Sequence, residues 1–271
     1  METKIKINLG NVQETLLLPL WGRATESQKV RPKLVDKKAV EIINKIDYDF
    51  STIAQNVSWV SQLAWVARCL HVDTAITNFL HLHPRGTIVN IGCGLDTTFE
   101  RIDNGSATFF DLDLPDVICL RNQFMSSNPR RKTISGSFLD TTWFNQLSNK
   151  EDILFAAAGV FYYFAEDQIK QFFVSVANNF RCEIFFDCSS PFGVKVANKK
   201  VIKDGGMNES AVLKWGLKSP KQITAWHRKI TLVEEIPMFK GFKKGLSFKE
   251  KYALWLSDFL HIMSMAHLKI N

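Results

Sequence analysis

The stretch TIVNIGCGLDTTFERI, residues 87–102, decides the fold of this chain. Its first five residues are rich in β-branched side chains and predict a buried strand, and two glycines, Gly92 and Gly94, follow directly. Because glycine has no Cβ, a strand-to-helix turn built on these residues lets a ligand approach the backbone. The pattern is typical of a loop that binds a nucleotide-like cofactor.

The loop departs from the dinucleotide-binding pattern GxGxxG, in which a third glycine brings the helix against the strand and a pyrophosphate lies on the helix N-terminus. Thr97 stands at that third position. The sequence therefore disfavours a pyrophosphate ligand, and with it a dehydrogenase. By itself the loop indicates a strand-to-helix turn beside a nucleotide-type cofactor without a pyrophosphate.

An acidic segment, FFDLD, follows the glycines after about 20 residues. This is the spacing expected for a carboxylate at the end of the next strand, where it accepts hydrogen bonds from both hydroxyls of a ribose. Alternate residues of a strand share a face, so Asp111 and Asp113 are both candidates for this cofactor-binding role.

Outward from this region, short β-rich runs alternate with helical stretches after Pro84. Parallel strands joined by crossovers produce such alternation, so we predict a doubly wound, Rossmann-like α/β sheet. The predicted strands are residues 87–91, 108–112, 133–135, 153–157, 182–187, 229–235 and 260–270. The predicted helices are residues 114–126, 141–147, 165–179, 209–217 and 249–259.

Residues 1–83 have a different pattern, with helices predicted over residues 11–27, 36–45 and 57–81. Asp36 is a suitable N-cap for the second of these helices. We expect this segment to form a helical cap that contributes to the cover of cofactor and substrate. Residues 84–271 are expected to form the core, with one structural domain overall.

The composition is that of a folded globular protein, with 46% hydrophobic and 23% charged residues. Apolar runs are shorter than a membrane span and the first residues are polar, so we expect a cytoplasmic protein without a membrane partner. Five cysteines without CxxC pairs are expected to be reduced thiols, and no metal site is expected. The net charge of +7 lies in short, scattered clusters without a nucleic-acid-binding motif, so no nucleic-acid partner is expected.

The order of motifs resembles the bacterial branch of the leucine carboxyl methyltransferases, which includes tetracenomycin-type O-methyltransferases. The motifs cover nearly the whole chain and are LWGRATES, IDYDF, IGCGLDTTFERI, FDLDLPDVI, GSFLDTTW, GVFYYF and WGL. The resemblance implies a class I methyltransferase fold whose last strand is antiparallel. It also implies S-adenosylmethionine as methyl donor and a carboxylate or hydroxyl oxygen as acceptor.

The resemblance further assigns residues of this chain to parts of the cofactor. These residues are Gly92, Gly94 and Asp96 on the methionine side, Asp113 at the ribose, and Ser137 with Phe138 beside the adenine.

Three more residues match family positions. Arg68 and Arg23 match basic side chains that lie against the methionine carboxylate, a role that bidentate guanidinium–carboxylate pairing supports. Tyr163 matches the tyrosine of the family's GVxxY segment. It is the candidate catalytic residue near the transferred methyl group.

Two residues depart from the family pattern. Ala158 stands where a glutamate usually meets the amino group of the cofactor, and Lys218 follows WGL where an acid is commoner. Loss of a charge-assisted contact of about 1.5–3 kcal/mol weakens binding by about one to two orders of magnitude. Glu100 or another acid is needed to compensate for the missing contact.

Three functions stay open on this sequence. The first is an O-methyltransferase acting on a small molecule, such as a polyketide-like or other aromatic acid. The second is a catalytically weak or inactive S-adenosylmethionine-binding module, which Ala158 favours. The third is a carboxyl methyltransferase acting on a protein C-terminus, against which the compact chain counts. A carboxylate acceptor is already ionised at neutral pH, whereas a phenol needs a base.

Overall fold

A computed structural model describes residues 4–7, 15–126, 128–199 and 212–271. Within these residues, two short strands form a parallel pair, β1 (Ile5–Lys6) and β2 (Ile46–Asp47), and seven strands form the central sheet. The central strands are β3 (Thr87–Ile91), β4 (Thr108–Asp113), β5 (Arg131–Ser135), β6 (Ile153–Ala157), β7 (Cys182–Cys188), β8 (Ile230–Pro237) and β9 (Ser264–Ile270).

The strands of the central sheet lie in the order β5-β4-β3-β6-β7-β9-β8. Strands β3 to β7 are mutually parallel, and β9 is antiparallel to both β7 and β8. The chain first builds outward from β3 to one edge and then returns to β6 on the other side, so β3 and β6 flank a topological switch point. The predicted α/β sheet and the antiparallel direction of its last strand are confirmed, but that strand begins at Ser264 rather than at residue 260.

Helices cover both faces of the sheet. They are α1 (Leu17–Ser27), α2 (Lys37–Lys45), α3 (Ser51–Asn56), α4 (Trp59–Leu82), α5 (Thr98–Ile102), α6 (Pro115–Arg121), α7 (Glu166–Asn179), α8 (Pro191–Ala197) and α9 (Phe248–Phe259). Within the described ranges, 3₁₀ helices span Thr141–Gln146, Phe161–Tyr163 and Pro220–Ala225. The sequence did not predict α3, α5, α8 or the last two 3₁₀ helices.

Neighbouring strand residues point to opposite faces and join two separate hydrophobic clusters. Val89 and Phe155 pack with Phe172 of α7 on one face. Ile88 on the other face packs with Val72 of α4 in a cluster that also includes α9. This two-sided burial explains why the central strands are almost continuously apolar.

Three helix predictions after residue 84 differ from the structure by more than one residue or in helix type. The helix predicted over residues 114–126 ends at Arg121, because the next turns close through shorter bonds such as Phe124 N–H to Arg121 O. The segment 141–147 is a 3₁₀ helix rather than an α-helix. Of the helix predicted over 209–217, residues 212–217 are irregular and the first three residues lie outside the described ones.

The irregular segment is explained by where its backbone hydrogen bonds go. Lys214 and Trp215 both donate their N–H groups to the carbonyl of Tyr162, and Leu217 donates to Ser189. These bonds to neighbouring elements replace the bonds that a helix would make within itself.

The N-terminal helices pack over the carboxyl ends of the strands. Leu20 of α1 and Ile42 of α2 share a cluster with Leu95 of the glycine loop and Leu120 of α6. Asp36 caps α2, as predicted, by accepting a hydrogen bond from Ala39 N at 2.9 Å. The predicted helix over residues 11–27 begins at position 17 in the structure, and its residues 11–14 lie outside the described ones. No described helix is long and apolar enough to cross a bilayer.

Candidate active site

The carboxyl ends of β3, β4, β5 and β6 open into a cavity of about 590 Å³. This volume is suited to a cofactor-sized ligand, and its place at the switch point of the sheet is where doubly wound folds bind ligands. Every predicted site residue except Asp111 lines it, namely Arg23, Arg68, Gly92, Gly94, Asp96, Asp113, Ser137, Phe138, Ala158 and Tyr163.

The glycine loop adopts a backbone that favours glycine at two positions. Gly92 has a φ of 61° and Gly94 a φ of 47°, in the left-handed region that other residues rarely adopt. The N–H groups of Gly92 and Cys93 both donate to Leu112 O, at 2.8 and 3.1 Å. These bonds tie the loop to the end of β4 and leave its surface open to the cavity.

Asp113 holds the loop from the neighbouring strand. Its Oδ2 accepts a hydrogen bond from Gly94 N at 2.7 Å, and its Oδ1 accepts one from Leu114 N at 2.8 Å. Burial raises the pKa of this carboxyl group above its usual value, and the two backbone hydrogen bonds oppose the shift. The carboxylate therefore lies at the cavity wall, at the position that the sequence predicted for a ribose partner.

Asp111 does not line the cavity, which corrects its prediction as an equal alternative to Asp113. Its Oδ2 accepts hydrogen bonds from Arg121 Nη2 at 2.9 Å and from Arg131 Nε at 2.6 Å. Alternation places both aspartates on one strand face, but α6 covers the first of them. Asp111 is thus occupied as the counter-ion of two arginines.

Arg121 links Asp111 to the glycine loop. The guanidinium is almost fully buried, and its Nη1 donates to Gly94 O at 2.8 Å and to Asp96 O at 2.6 Å. It thereby satisfies two loop carbonyls that glycine-rich turns leave without helical partners. The sequence did not identify this residue, although its position in the DLDLPDVICLR segment, ten residues after Asp111, was visible.

Asp36 joins the N-terminal helices to the same loop. Besides capping α2, it accepts hydrogen bonds at Oδ2 from Arg23 Nε at 2.9 Å, Thr97 Oγ1 at 2.6 Å and Arg101 Nη1 at 3.1 Å. Arg23 also donates to Leu95 O at 2.8 Å. Arg23 is therefore held at the cavity wall by both a carboxylate and the glycine loop.

Asp96 lies on the other side of this network. It accepts hydrogen bonds from Asn90 Nδ2 at 3.0 Å and Thr98 N at 3.2 Å. Burial alone would raise its pKa, but Arg101 and Arg23 outweigh that effect and lower the pKa of this carboxyl group. Asp96 is consequently an ionised wall residue at neutral pH.

Arg68 projects from α4 into the cavity wall and forms a buried ion pair. Its Nη1 donates to Asp187 Oδ2 at 2.9 Å and to Tyr162 Oη at 2.9 Å. Burial opposes the charge of Arg68, but Tyr162 and Asp187 raise its pKa, so it stays protonated. The sequence missed Asp187, because the two charged residues are far apart in the chain.

Ala158 and Gly159 form the turn after β6. Ala158 lines the cavity, and Gly159 N donates to Asp187 Oδ1 at 2.6 Å. A Cβ added to Gly159 would lie 2.9 Å from Arg68 Nη1, so the guanidinium needs a glycine here. Glu100 does not compensate for the missing glutamate, because it lies outside the cavity lining and its Oε1 accepts a hydrogen bond from Arg131 Nη1 at 2.6 Å.

The remaining wall of the cavity is aromatic and polar. Phe138 packs edge-on against Phe164, with ring centroids 4.8 Å apart, and Tyr163 Oη donates to Thr15 Oγ1 at 3.3 Å. Burial raises the pKa of Tyr163 above its usual value, so the hydroxyl remains protonated. Gln168 and Lys214 complete this part of the lining.

These residues suit the chemistry of S-adenosylmethionine. Arg68 and Arg23 provide cationic groups for a carboxylate, Asp113 provides an acceptor for a diol, and Phe138 provides a flat apolar surface for an adenine. The positive φ angles of the glycine loop let a ligand approach the backbone.

Comparison with known proteins agrees with this geometry. The sequence model described as leucine carboxyl methyltransferase matches residues 18–177. The chain is 28% identical over 257 residues to the tetracenomycin polyketide synthesis O-methyltransferase TcmP of Streptomyces glaucescens, covering 94% of this chain and 87% of that protein. It is 28% identical over 194 residues to the S-adenosyl-L-methionine-dependent methyltransferase dpfgK of Gibberella zeae, covering 66% and 64%.

Solved structures share the fold at low sequence identity. A DUF574-family protein from Streptomyces avermitilis superposes with a TM-score of 0.60 at 10% identity, covering 95% of this chain and 97% of that chain. The plantazolicin methyltransferase BpumL, solved with a triazolic desmethylPZN analog and SAH, gives a TM-score of 0.53 at 13% identity and covers 96% and 100%. From the match over residues 18–177 and the full-length similarity, the chain belongs to the leucine carboxyl methyltransferase family and is an S-adenosylmethionine-dependent methyltransferase.

Proposed function

We propose that this methyltransferase esterifies a carboxylate of a small, flat, apolar molecule. The observation that carries the proposal is the set of hydrogen-bond donors in the aromatic part of the cavity wall. The residues that carry these donors and line the cavity are Tyr163, Gln168 and Lys214. In this proposal the Tyr163 hydroxyl exchanges its hydrogen bond to Thr15 Oγ1 for one to the acceptor. A carboxylate accepts hydrogen bonds from all three types of group and is ionised at neutral pH.

The cofactor, in this proposal, occupies the end of the cavity nearest the glycine loop. Asp113 binds the ribose hydroxyls, Ser137 and Phe138 flank the adenine, and Arg68 with Arg23 binds the methionine carboxylate. Both arginines are buried and held by aspartates, so little side-chain entropy is lost when they bind a ligand. Bound S-adenosylmethionine supplies an electrophilic methyl group on a sulfonium sulfur.

The residues of the chain contribute positioning and exclusion of water. The pKa of Tyr163 is raised by burial, so its hydroxyl acts as a donor that orients the acceptor rather than as a base. Lys214 adds a cationic group that favours an anionic acceptor. Phe164 and Met263 line the same cavity and provide apolar surface around it. Orientation of the two reactants is the main means by which such a site accelerates an in-line transfer.

A small molecule is favoured over a protein C-terminus by the relative that covers most of this chain. TcmP is an O-methyltransferase of tetracenomycin polyketide synthesis, and the chain covers 87% of its length. The aromatic wall here suits an acceptor of the same general kind, a polyketide-like or other aromatic acid.

Methyl transfer assays test the proposal directly. The protein is incubated with S-adenosylmethionine labelled at the methyl carbon and with aromatic carboxylic acids, each paired with its hydroxymethyl analogue. We expect label to enter the acids, in a product that alkali hydrolyses to methanol. An alkali-stable product would instead indicate hydroxyl methylation. Donor binding without transfer to any acceptor would favour a binding module.

Lys214 provides a variant for the same assay. Lys214→Met is expected to raise KM for the acids about tenfold and leave KM for the cofactor unchanged, because one charge-assisted contact is lost. Lys218→Met, an exposed lysine nearby that does not line the cavity, is the matched control. Equal effects of the two variants would refute the acceptor role of Lys214.

A further inference from the structure

The helix α9 carries a row of exposed aromatic side chains. Their exposed fractions are 86% for Phe248, 57% for Tyr252, 49% for Trp255 and 64% for Phe259. Trp255 stacks on Tyr252 with ring centroids 5.9 Å apart and on Phe259 at 5.2 Å. Three of the rings therefore stack in a row, Phe248 extends this aromatic stripe toward the N-terminus of α9, and exposed apolar patches of this kind mark interaction sites.

Helical spacing shows that the stripe faces away from the protein. At about 100° per residue, the four aromatic positions fall within an arc of about 60°. Leu254, which is fully buried and packs into the cluster under the sheet, lies about 130° from the centre of that arc. The helix thus packs on the core with one side and presents the aromatic stripe with the other.

Lysines border the stripe on both sides. Lys249 lies about 90° from its centre in one direction and Lys251 about 70° in the other, and both are exposed. The preceding loop adds exposed Lys240 and Lys244. It is attached to α9 through Lys243, whose Nζ lies 3.0 Å from Asp258 Oδ2.

The acidic residues of this region are already engaged. Glu250 closes the N-terminal cap of α9, accepting from Ser247 N at 2.8 Å, and Asp258 binds Lys243 and Phe239 N. In α9 and the loop before it, five lysines, namely Lys240, Lys243, Lys244, Lys249 and Lys251, outnumber these two acids, so the surface around the stripe is cationic. A second copy of the chain packed about a two-fold axis would bring these lysines near one another, which disfavours self-association.

We propose that α9 binds the surface of an anionic lipid bilayer, with the aromatic stripe inserted at the level of the headgroups. A helix that has aromatic and leucine side chains on one side, and lysines at the borders of that side, lies in the plane of the interface between bilayer and water. Tryptophan and tyrosine favour this depth, and lysines are attracted to anionic headgroups. The proposal does not depend on which acceptor the enzyme methylates.

Vesicle co-sedimentation of the full chain tests this proposal. We expect binding to vesicles of phosphatidylcholine with 30% phosphatidylglycerol and at least tenfold weaker binding to phosphatidylcholine alone. High salt is expected to weaken binding, because screening reduces the attraction between lysines and headgroups. Equal binding to both vesicles, or none to either, would overturn the proposal.

Two pairs of variants locate the contact. Lys249→Glu with Lys251→Glu is expected to weaken binding at least tenfold, since each lysine near an anionic surface contributes about fivefold. Lys218→Glu with Lys221→Glu makes the same change of charge at exposed positions away from α9 and is expected to have little effect. Equal losses in the two pairs would show that only net charge matters and would refute α9 as the binding element.

Insertion is tested by fluorescence quenching with brominated phosphatidylcholine included in the vesicles. We expect the quenched component of tryptophan emission to disappear in Trp255→Phe and to persist in Trp59→Phe, which alters another partly exposed tryptophan. Sedimentation velocity without lipid tests the alternative that a second copy of the chain binds the stripe. A dimer that forms at micromolar concentration and is lost in Trp255→Ser would assign the stripe to a second copy of the chain and overturn the proposal.

Discussion

The guanidinium of Arg68 and the carboxylate of Asp187 form a buried ion pair, with Nη1 and Oδ2 2.9 Å apart. The pair joins α4 to the end of β7, and the other carboxylate oxygen accepts a hydrogen bond from Gly159 N. A helix of the N-terminal segment, the sheet and the turn after β6 thus meet at one charged contact. This cavity-lining arginine is consequently fixed by the fold before any ligand binds.

A double-mutant cycle measures this ion pair. Arg68→Met or Asp187→Leu alone is expected to lower the free energy of unfolding by about 3–5 kcal/mol, because each leaves an uncompensated buried charge. The double variant is expected to lose much less than the sum of both. Urea denaturation of the four proteins gives the coupling energy. Additive losses would show that the two charges do not stabilise each other. The exposed Glu41–Lys45 pair of α2 is the control and should show weak coupling.

The missing glutamate is tested by restoring it. Ala158→Glu is expected to tighten S-adenosylmethionine binding about ten- to a hundredfold, since one charge-assisted contact to the amino group is worth about 1.5–3 kcal/mol. Calorimetric titration measures the change. Ala197→Glu introduces the same side chain elsewhere in the cavity lining and is expected to give no such gain. Unchanged affinity in the first variant would mean that another group already serves the amino end.

Local patterns in the sequence predicted most of the sheet and the glycine loop. Strands β3 and β6 have the predicted bounds, because a run of apolar and β-branched residues between turn signals is a short-range feature. The helix predicted over residues 209–217 is wrong for residues 212–217, because the backbone hydrogen bonds of this segment go to Tyr162 and Ser189. Tertiary bonding of this kind has no local pattern.

The sequence predicted those site residues that lie at or directly after the ends of strands. The alternation of side chains along a strand made Asp111 and Asp113 equal candidates for the ribose partner. Alternation identifies the strand face on which a residue lies, but not the neighbouring element that covers it. Arg121, which occupies the first of them, reaches back from α6. Asp187 of β7 contacts Arg68 of α4, 119 residues away in the chain, so a single sequence carries no sign of the pair. The exposure of the α9 stripe likewise depends on what the rest of the fold leaves uncovered.

Tyr163 is expected to matter for catalysis more than for cofactor binding. Removing its hydroxyl in Tyr163→Phe is expected to lower kcat about tenfold, which corresponds to the loss of one hydrogen bond to the acceptor. Tyr162→Phe removes the contact to Arg68 and is expected to weaken cofactor affinity instead. Steady-state kinetics and calorimetry separate the two effects. Full activity of Tyr163→Phe would show that its hydroxyl has no required role.

The pH dependence of cofactor affinity should depend on Asp113. In the proposed cofactor site the ionised carboxylate accepts hydrogen bonds from the ribose, so cofactor affinity is expected to fall as pH decreases through the pKa of Asp113. Burial raises that pKa above 3.8, and the fall therefore begins at a higher pH than for an ordinary aspartate. In the absence of ligand, protonation of Asp113 has the opposite effect on folding stability. The native protein binds this proton more tightly than the unfolded chain, so lowering the pH stabilises the fold through this group.

The variant Asp113→Asn distinguishes the effect of Asp113 on the pH dependence of cofactor affinity from the effects of other carboxyl groups. The variant is expected to bind S-adenosylmethionine about ten- to a hundredfold more weakly at neutral pH, because a charge-assisted contact becomes a neutral one. Its affinity should also change less between neutral pH and the acidic range than that of the unmodified protein. Calorimetry across that range compares it with Asp116→Asn, whose carboxylate lies in the first turn of α6 outside the cavity lining. If both variants kept the pH profile of the unmodified protein, Asp113 would not be the titrating ribose partner.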